Sequence, residues 1–391
     1  MRRSVQSPRK VLLPAVLTLA SLVCAAQQPA PPAGSAAHTD QAAPSTVPVA
    51  VVVRDKKGRL INDLKPSEFA VDEGGKTLPI AAVSQPGEPP IILGLLFDTG
   101  FLQRRQLDTE REAARTFLST LRYDKDKSFV LHYDQQVELL QDITASRQKL
   151  EKALELLKAG EMTPPGYNDG GNGGDSRGQG GGRQGGPGVS SVMNDTVFLA
   201  SDELLKGATG RPVLVLVCGG IESGSRVEWE RAIESAQRAN AVLYTIYDPG
   251  KSEESRFDSG NNSGGRNGRS GGGWPGGGGG WPGSGGGNWP GGNGRNGGGQ
   301  DRDNRKTLEH QREEGRRIME RMAKESGGHF FEITKKFTLG DAFNQIAEEL
   351  KAQYVLQVSA PDGGEGLRTL RLTTARKDAT TQSRTGFYTS K

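Results

Sequence analysis

The sequence predicts an α/β fold in which a mostly parallel sheet carries helices on both faces. From residue 91 onward, short apolar segments typical of buried strands alternate with amphipathic segments typical of helices. Residues 91–97 are continuously apolar, as expected for a strand buried on both faces. Thirty-five of the 56 glycines lie in residues 166–188 and 249–300. The remaining chain is ordinary in composition, which indicates a globular protein with two insertions.

The N-terminus has the layout of a secretory signal peptide. Residues 1–26 combine a basic start, an apolar run over residues 11–23 and small residues before a cleavage site after Ala26. The apolar run is shorter than the roughly 20 residues that a membrane-spanning helix needs. The alternative is a lipoprotein anchored through Cys24, which the bulky Val23 disfavours. We therefore expect an exported protein, periplasmic or extracellular, with no transmembrane segment in the mature chain.

Charge and cysteine content bear on two further properties, nucleic-acid binding and disulfide bonding. The formal net charge is +4, and the leader alone carries four basic residues: Arg2, Arg3, Arg9 and Lys10. The mature chain is close to neutral, so the composition does not indicate a nucleic-acid partner. Cys218 is the only cysteine outside the leader, which excludes an internal disulfide.

The elements are expected in the following order. Residues 27–46 read as a disordered spacer, residues 47–86 as a small β module of about three strands, residues 91–360 as the α/β domain and residues 361–391 as a C-terminal β-hairpin extension. Within the domain, strands are expected at residues 91–97, 128–133, 137–140, 213–217, 241–247, 328–332 and 354–359. Helices are expected at residues 104–122, 147–157, 191–205, 227–240, 302–326 and 339–351. The insertions 166–188 and 249–300 interrupt it in loops, and their glycine content predicts disorder.

Three of the four tryptophans lie in the second insertion, each in a Trp-Pro-Gly unit: Trp274, Trp281 and Trp289. One interpretation is a flexible arm that stacks on an aromatic, proline-rich or glycan surface. The other is repeat expansion without a selected partner. The insertion follows a predicted core strand, so we expect it to emerge at the same sheet edge as Asp98.

Several stretches carry a resemblance to a known family: residues 92–100 (ILGLLFDTG), 195–205 (DTVFLASDELL), 213–225 (VLVLVCGGIESGS), 236–246 (AQRANAVLYTI) and 384–388 (RTGFY), with 64–69 (LKPSEF) and 73–76 (EGGK) in the front module. The α/β segment resembles a von Willebrand factor type A domain. The mature chain as a whole resembles the exported "VWFA-related" proteins of Acidobacteria. The resemblance implies binding of another protein at the C-terminal edge of the sheet, the edge where open parallel sheets generally bind ligands.

The resemblance also implies a metal-ion-dependent adhesion site, which this sequence matches poorly. The family's metal takes oxygens from an Asp-x-Ser-x-Ser loop, a threonine and a further aspartate. Asp98 is present and Ser191 falls at the threonine position, so these two are the weak candidates for Mg²⁺ or Ca²⁺. Gly100 and Leu102 replace the serines, and Gly219 replaces the second aspartate. We therefore expect no metal cofactor.

Each candidate ligand also has an ordinary structural interpretation. Asp98 would end a strand and accept hydrogen bonds from loop amides. Ser191 would be a helix N-cap. Glu222, three residues beyond Gly219, is a possible acidic neighbour. The adjacent pair Glu348 and Glu349 reads as a solvated helix face.

These observations predict a non-enzymatic, adhesion-type module that recognises a protein partner without a metal. The expected contact residues are Asp98, Thr99, Ser191, Glu222, Trp274, Trp281 and Trp289. Two alternatives stay open. One is an envelope scaffold that assembles through the type A domain. The other is a hydrolase using Cys218 or an unrecognised pair of acidic residues, although the sequence has no Gly-x-Ser-x-Gly nucleophile motif. The partner and the oligomeric state are left open.

Overall fold

The computed structural model describes residues 46–159, 191–250, 297–360 and 366–389. The expected signal peptide and Cys24, most of both glycine-rich insertions, and Trp274, Trp281 and Trp289 lie outside the described residues. The strands are Thr46–Asp55 (β1), Phe69–Glu73 (β2), Lys76–Leu78 (β3), Ile80–Ser84 (β4), Ile91–Asp98 (β5), Lys127–Tyr133 (β6), Val137–Thr144 (β7), Arg211–Cys218 (β8), Val242–Tyr247 (β9), Phe330–Glu332 (β10), Tyr354–Ser359 (β11), Gly366–Thr369 (β12), Arg371–Thr374 (β13), Ala379–Ser383 (β14) and Gly386–Thr389 (β15). The helices are Leu107–Leu118 (α1), Arg147–Glu155 (α2), Met193–Leu199 (α3), Trp229–Arg238 (α4), Gly297–Ser326 (α5) and Leu339–Ala352 (α6).

The central sheet has six strands in the order β10-β9-β8-β5-β6-β7. All neighbours are parallel except β6 and β7, which are antiparallel. Every residue of β5 and β8 is buried, which explains their continuous apolar sequences. Leu93 and Leu95 face a core with α1, α2 and α6, whereas Ile92 and Leu96 face a core with α3, α4 and α5. The predicted α/β fold, with a mostly parallel sheet and helices on both faces, is confirmed.

The strand at residues 354–359 is not part of this sheet, contrary to the sequence expectation. It forms β11, which pairs antiparallel with β1 and with β4, while β14 pairs with the other edge of β1. Apolar residues from both ends of the described chain, such as Val49, Leu356 and Phe387, form a separate core. An apolar strand gains the same burial in either sheet, so its sequence alone did not reveal its partner. The C-terminal strands also do not form one isolated hairpin. Strand β12 pairs with β15, whereas β13 pairs with β2 of the front module.

This second β layer is attached at the N-terminal edge of the central sheet. Arg211, the first residue of β8, is buried and donates to Leu350 O and Gln353 Oε1, both at 3.0 Å, and to Pro89 O at 3.1 Å. The Arg211 guanidinium thereby satisfies the Leu350 carbonyl in the last turn of α6. Burial lowers the pKa of Arg211 to about 10, so the side chain remains a cation at neutral pH.

A second buried arginine holds the C-terminal strands against α4. Arg384 donates to Gln237 O at 2.6 Å, to Asn240 Oδ1 at 2.7 Å and to Gly386 O at 2.7 Å. Burial lowers its pKa to about 10. A cation at the C-terminus of a helix also interacts favourably with the helix dipole.

Glu349 joins α6 to the same β layer. The sequence analysis expected Glu348 and Glu349 to be solvated, and for Glu349 that expectation is wrong. Glu348 is exposed, but Glu349 is completely buried. Its Oε1 accepts from the Arg54 guanidinium and lies 2.9 Å from His329 Nδ1. The helical period explains the difference, because Glu349 lies three residues after the buried Ile346 on the inward face.

No helix among the described residues is long and apolar enough to cross a membrane.

We predict that Arg384→Met lowers the free energy of unfolding by about 3 kcal/mol, because it leaves three hydrogen-bond acceptors without their donor. Urea denaturation measures this change. Arg371→Met is the matched control, since Arg371 is exposed and should cost less than about 0.5 kcal/mol. Equal losses in the two variants would contradict the clamping role of Arg384.

Candidate functional site at the C-terminal edge of the sheet

Asp98 and Cys218 are the last residues of two adjacent parallel strands, so they meet at the C-terminal edge of the sheet. Asp98 Oδ1 accepts from the Gly100 N–H at 2.9 Å, and Oδ2 accepts a longer bond from the Gly219 N–H at 3.4 Å. The Cys218 thiol also donates to Oδ2, at 3.4 Å. The structural interpretation of Asp98, a strand-end carboxylate that accepts from loop amides, is confirmed.

The Asp98 carboxyl group is buried, with an exposed fraction of 3%. The pKa of Asp98 is raised to about 6. Burial is the largest cause and the nearby Asp134 adds to it, while the hydrogen bonds from Gly100, Cys218 and Gly219 oppose the shift. Burial and the charge of Asp98 also raise the pKa of the Cys218 thiol well above its usual value. The thiol therefore stays protonated at neutral pH, which does not favour the Cys218 hydrolase alternative.

Thr99 is part of a hydrogen-bond network with the neighbouring strands. Its side chain is completely buried, and Oγ1 lies 2.9 Å from His132 Nδ1 and 3.2 Å from Tyr133 O. His132 Nε2 in turn lies 3.0 Å from Glu138 Oε2 on β7. The network links the loop after β5 to the edge strand.

Ser191 is not a helix N-cap. Helix α3 begins at Met193, and Val192 occupies the N-cap position. The Ser191 side chain is 2% exposed, and its Oγ has no hydrogen-bond partner among the described residues. Its carbonyl accepts from the Ser223 N–H at 3.1 Å, which places Ser191 beside the loop after β8.

Glu222 supplies the carboxylate at this helix start instead. Its Oε2 accepts from the Asn194 N–H at 2.9 Å and from Ser225 Oγ at 3.0 Å. Its Oε1 accepts from the Ser225 N–H at 3.2 Å. Glu222 therefore takes the hydrogen bonds expected of a cap, although it is 28 residues from Asn194 in sequence.

The residues at this edge do not fit the family's metal ion. A Cβ atom built at Gly219, where the family has its second aspartate, would lie 1.7 Å from Gln103 Nε2. The Gln103 amide thus fills the space of the missing carboxylate, and it donates to Asp248 O at 3.1 Å. Gly100 and Leu102 provide no side-chain oxygen. Within the described ranges, no three His, Cys, Asp or Glu side chains are grouped so that they could hold a metal ion.

Sequence analysis missed a polar group around the start of α1. Gln103 lies in the turn before this helix, Gln106 is its N-cap residue and Glu110 lies in its first turn. Glu110 is 1% exposed. Burial raises its pKa well above the usual value, and the charges of Asp248 and Asp98 raise it further. Gln106 and Glu110 lie four residues apart within the stretch expected to be helical, 104–122, and that spacing was the available signal.

The residues that flank both insertions lie at this edge. Val192 donates its N–H to Asp134 O at 3.0 Å, at the end of β6. Asp248 donates its N–H to Cys218 O at 2.9 Å, and a Cβ at Gly250 would lie 2.2 Å from Gln106 Nε2. The part of α5 next to this edge abuts the loop after β8, since a Cβ at Gly315 would lie 2.1 Å from Gly220 O.

The mostly parallel sheet with helices on both faces, and the position of Asp98 at its C-terminal edge, agree with the architecture that the resemblance implies. The fold is von Willebrand factor type A-like. No family model matches the chain, and no curated protein matches it either.

Solved structures of type A proteins are similar to the chain at low identity. Proximal thread matrix protein 1 from the mussel byssus has 9% identity and a TM-score of 0.32 over 42% of this chain and 38% of its own. One of its structures has a zinc-occupied MIDAS motif. BatB from Bacteroides thetaiotaomicron has 10% identity and a TM-score of 0.29 over 40% and 66%. An aerotolerance-related membrane protein from Bacteroides fragilis has 11% identity and a TM-score of 0.36 over 66% and 98%.

We predict that the stability conferred by Asp98 depends on pH. The folded-state pKa of about 6 exceeds the ordinary value of 3.8, so folding favours the protonated form. Stability is therefore highest below pH 4 and falls as pH rises towards 6 and beyond, by about 3 kcal/mol. Urea denaturation of the wild type and Asp98→Asn from pH 4 to 8 measures this as the difference between the two proteins. A difference that stays constant with pH would contradict the burial of a titrating carboxyl.

We also predict that the melting temperature stays within about 1 °C when millimolar Mg²⁺, Mn²⁺ or Ca²⁺ replaces EDTA. A site filled at 100 times its Kd would add about 2.7 kcal/mol, enough for a shift of several degrees. Asp98→Asn is the control. A cation-dependent increase that this variant abolishes would show that the adhesion metal binds after all.

Proposed function

We propose that this chain is a non-enzymatic binding module that docks a protein partner on the C-terminal edge of its central sheet without a metal ion. The observation that carries the proposal is the Gln103 amide in the position of the family's second aspartate. With that space filled and Asp98 bonded to loop amides, recognition at this edge rests on the protein's own polar groups. We also propose that the module acts outside the cytoplasm, on the strength of the leader-like residues 1–26.

The loops rather than the strand-end side chains form the outer surface of this edge. Asp98, Thr99 and Ser191 are buried beneath them, whereas Glu222 and Asp248 are half-buried and Arg105 is exposed. In this proposal the buried residues fix the loops, and the partner contacts the loops. We retain Trp274, Trp281 and Trp289 as proposed contacts, because the insertion that contains them leaves the described chain at Gly250, beside Gln106.

Photo-crosslinking tests where the partner docks. A photoreactive phenylalanine analogue is placed at Arg105 on the C-terminal edge or at Lys125 on the loop before β6, at the opposite edge. Both positions are exposed. We expect a defined crosslinked adduct in the source cell from position 105 only. Equal adducts from both positions, or an adduct from position 125 alone, would overturn the proposal. An adduct of twice the chain mass would instead identify the scaffold alternative, in which the partner is a second copy.

A further inference from the structure

Five carboxylates at the C-terminal edge accept hydrogen bonds from backbone N–H groups of the surrounding loops. These pairs are Asp98 with Gly100 and Gly219, Asp134 with Gln135 and Gln136, Asp195 with Arg226 and Val227, Glu222 with Asn194 and Ser225, and Asp248 with Gly250. A backbone N–H satisfies a lone pair but neutralises no charge. The divalent ion that compensates such carboxylates in metal-binding relatives has no fitting site here.

One part of this edge has hydrogen-bond acceptors in excess. Gln103 Oε1, Gln106 Oε1 and Glu110 Oε2 are buried atoms without a hydrogen-bond partner among the described residues. Gln103 and Glu110 are 3% and 1% exposed. Gln103 lies in the turn before α1, Gln106 is the N-cap residue of α1 and Glu110 lies in its first turn. The two glutamines reach the segment that contains Asp248, since Gln103 Nε2 donates to Asp248 O and a Cβ at Gly250 would lie 2.2 Å from Gln106 Nε2. Asp248 is half-buried and forms the outer side of this group. We call Gln103, Gln106, Glu110 and Asp248 the acceptor recess.

The hydrogen bonds of Arg111 go to other groups. Arg111 follows Glu110 directly, but its Nη2 donates to Leu157 O at 2.8 Å and its Nη1 bonds to Asp108. Carboxyl and amide oxygens without donors are satisfied by N–H or O–H groups. Lysine ammonium and arginine guanidinium groups are donors without an acceptor, and a cation held beside Glu110 would also stabilise its ionised form against the burial that raises its pKa.

We propose that the acceptor recess binds a lysine or arginine side chain of the partner. This inference rests on the proposed docking edge and adds the chemistry of the contact. A metal ion is the less suitable occupant, because two carboxylates and two amides fall short of the oxygen shell that Ca²⁺ or Mg²⁺ requires. The acceptor recess therefore attracts a cationic group of the partner, whereas a site centred on a metal ion would attract an anionic group.

The test uses two fluorescent decapeptides, one alternating lysine with glycine and one alternating glutamate with glycine. Fluorescence anisotropy at physiological salt measures their affinity for the full chain. The recess variant combines Glu110→Gln with Asp248→Asn, which keeps the shape of each side chain. The control combines Asp378→Asn with Glu348→Gln, the same charge change at exposed positions. We expect the lysine peptide to bind the wild type. Its affinity for the recess variant should be at least tenfold weaker, and its affinity for the control should be within twofold of the wild-type value.

Several outcomes would overturn the proposal. These are absence of lysine-peptide binding to the wild type, equal losses in the recess and control variants, or tighter binding of the glutamate peptide, with or without added Mg²⁺. Circular dichroism and the melting temperature show whether the recess variant is folded. If it is not, the single Asp248→Asn variant at the half-buried position decides, with an expected loss of at least threefold.

The two proposals can fail separately. An adduct at position 105 without lysine-peptide binding would leave the docking edge in place and remove the cationic contact. Lysine-peptide binding that depends on the recess, without an adduct at position 105, would leave a cation-binding group that is not the docking surface.

Discussion

The contacts of the buried Glu349 carboxylate with Arg54 and His329 hold the two layers of the molecule together. It joins a helix of the α/β layer to the first strand of the second β layer, and the strand that follows this helix pairs along β1. Arg211 and Arg384 reinforce the same junction from the ends of two helices. All of these contacts lie at the N-terminal edge of the central sheet. The opposite edge is therefore left to the loops and to whatever docks on them.

The chemistry of that opposite edge depends on the side chain that occupies the space beside Gly219. An amide from Gln103 fills the space in which relatives have a carboxylate, and it bonds to a backbone carbonyl instead of a metal. Asp98 keeps the family position but acts as a hydrogen-bond acceptor for the loop. Its burial raises its pKa, so the charge at this edge depends on pH rather than on a bound ion.

The sequence was sufficient for features that depend on local pattern. The apolar run that became β5 predicted a buried parallel strand, and its last residue was expected to accept loop amides. Pattern could not assign β11, because burial periodicity does not identify a strand's partner, and that partner lies some 300 residues away. Ser191 and Glu222 show the same limit. The serine had the local sequence of a cap, but the carboxylate that bonds the helix start comes from a distant loop.

After the first insertion the chain returns to the fold at the proposed docking edge, through Val192, and it leaves from the same edge at Gly250 before the second. The cost of closing a flexible loop grows only with the logarithm of its length, about 0.6 kcal/mol for each doubling. The insertions can therefore change in length while the ladder hydrogen bonds and the three cores stay as they are, much as antibody frameworks tolerate changing loops.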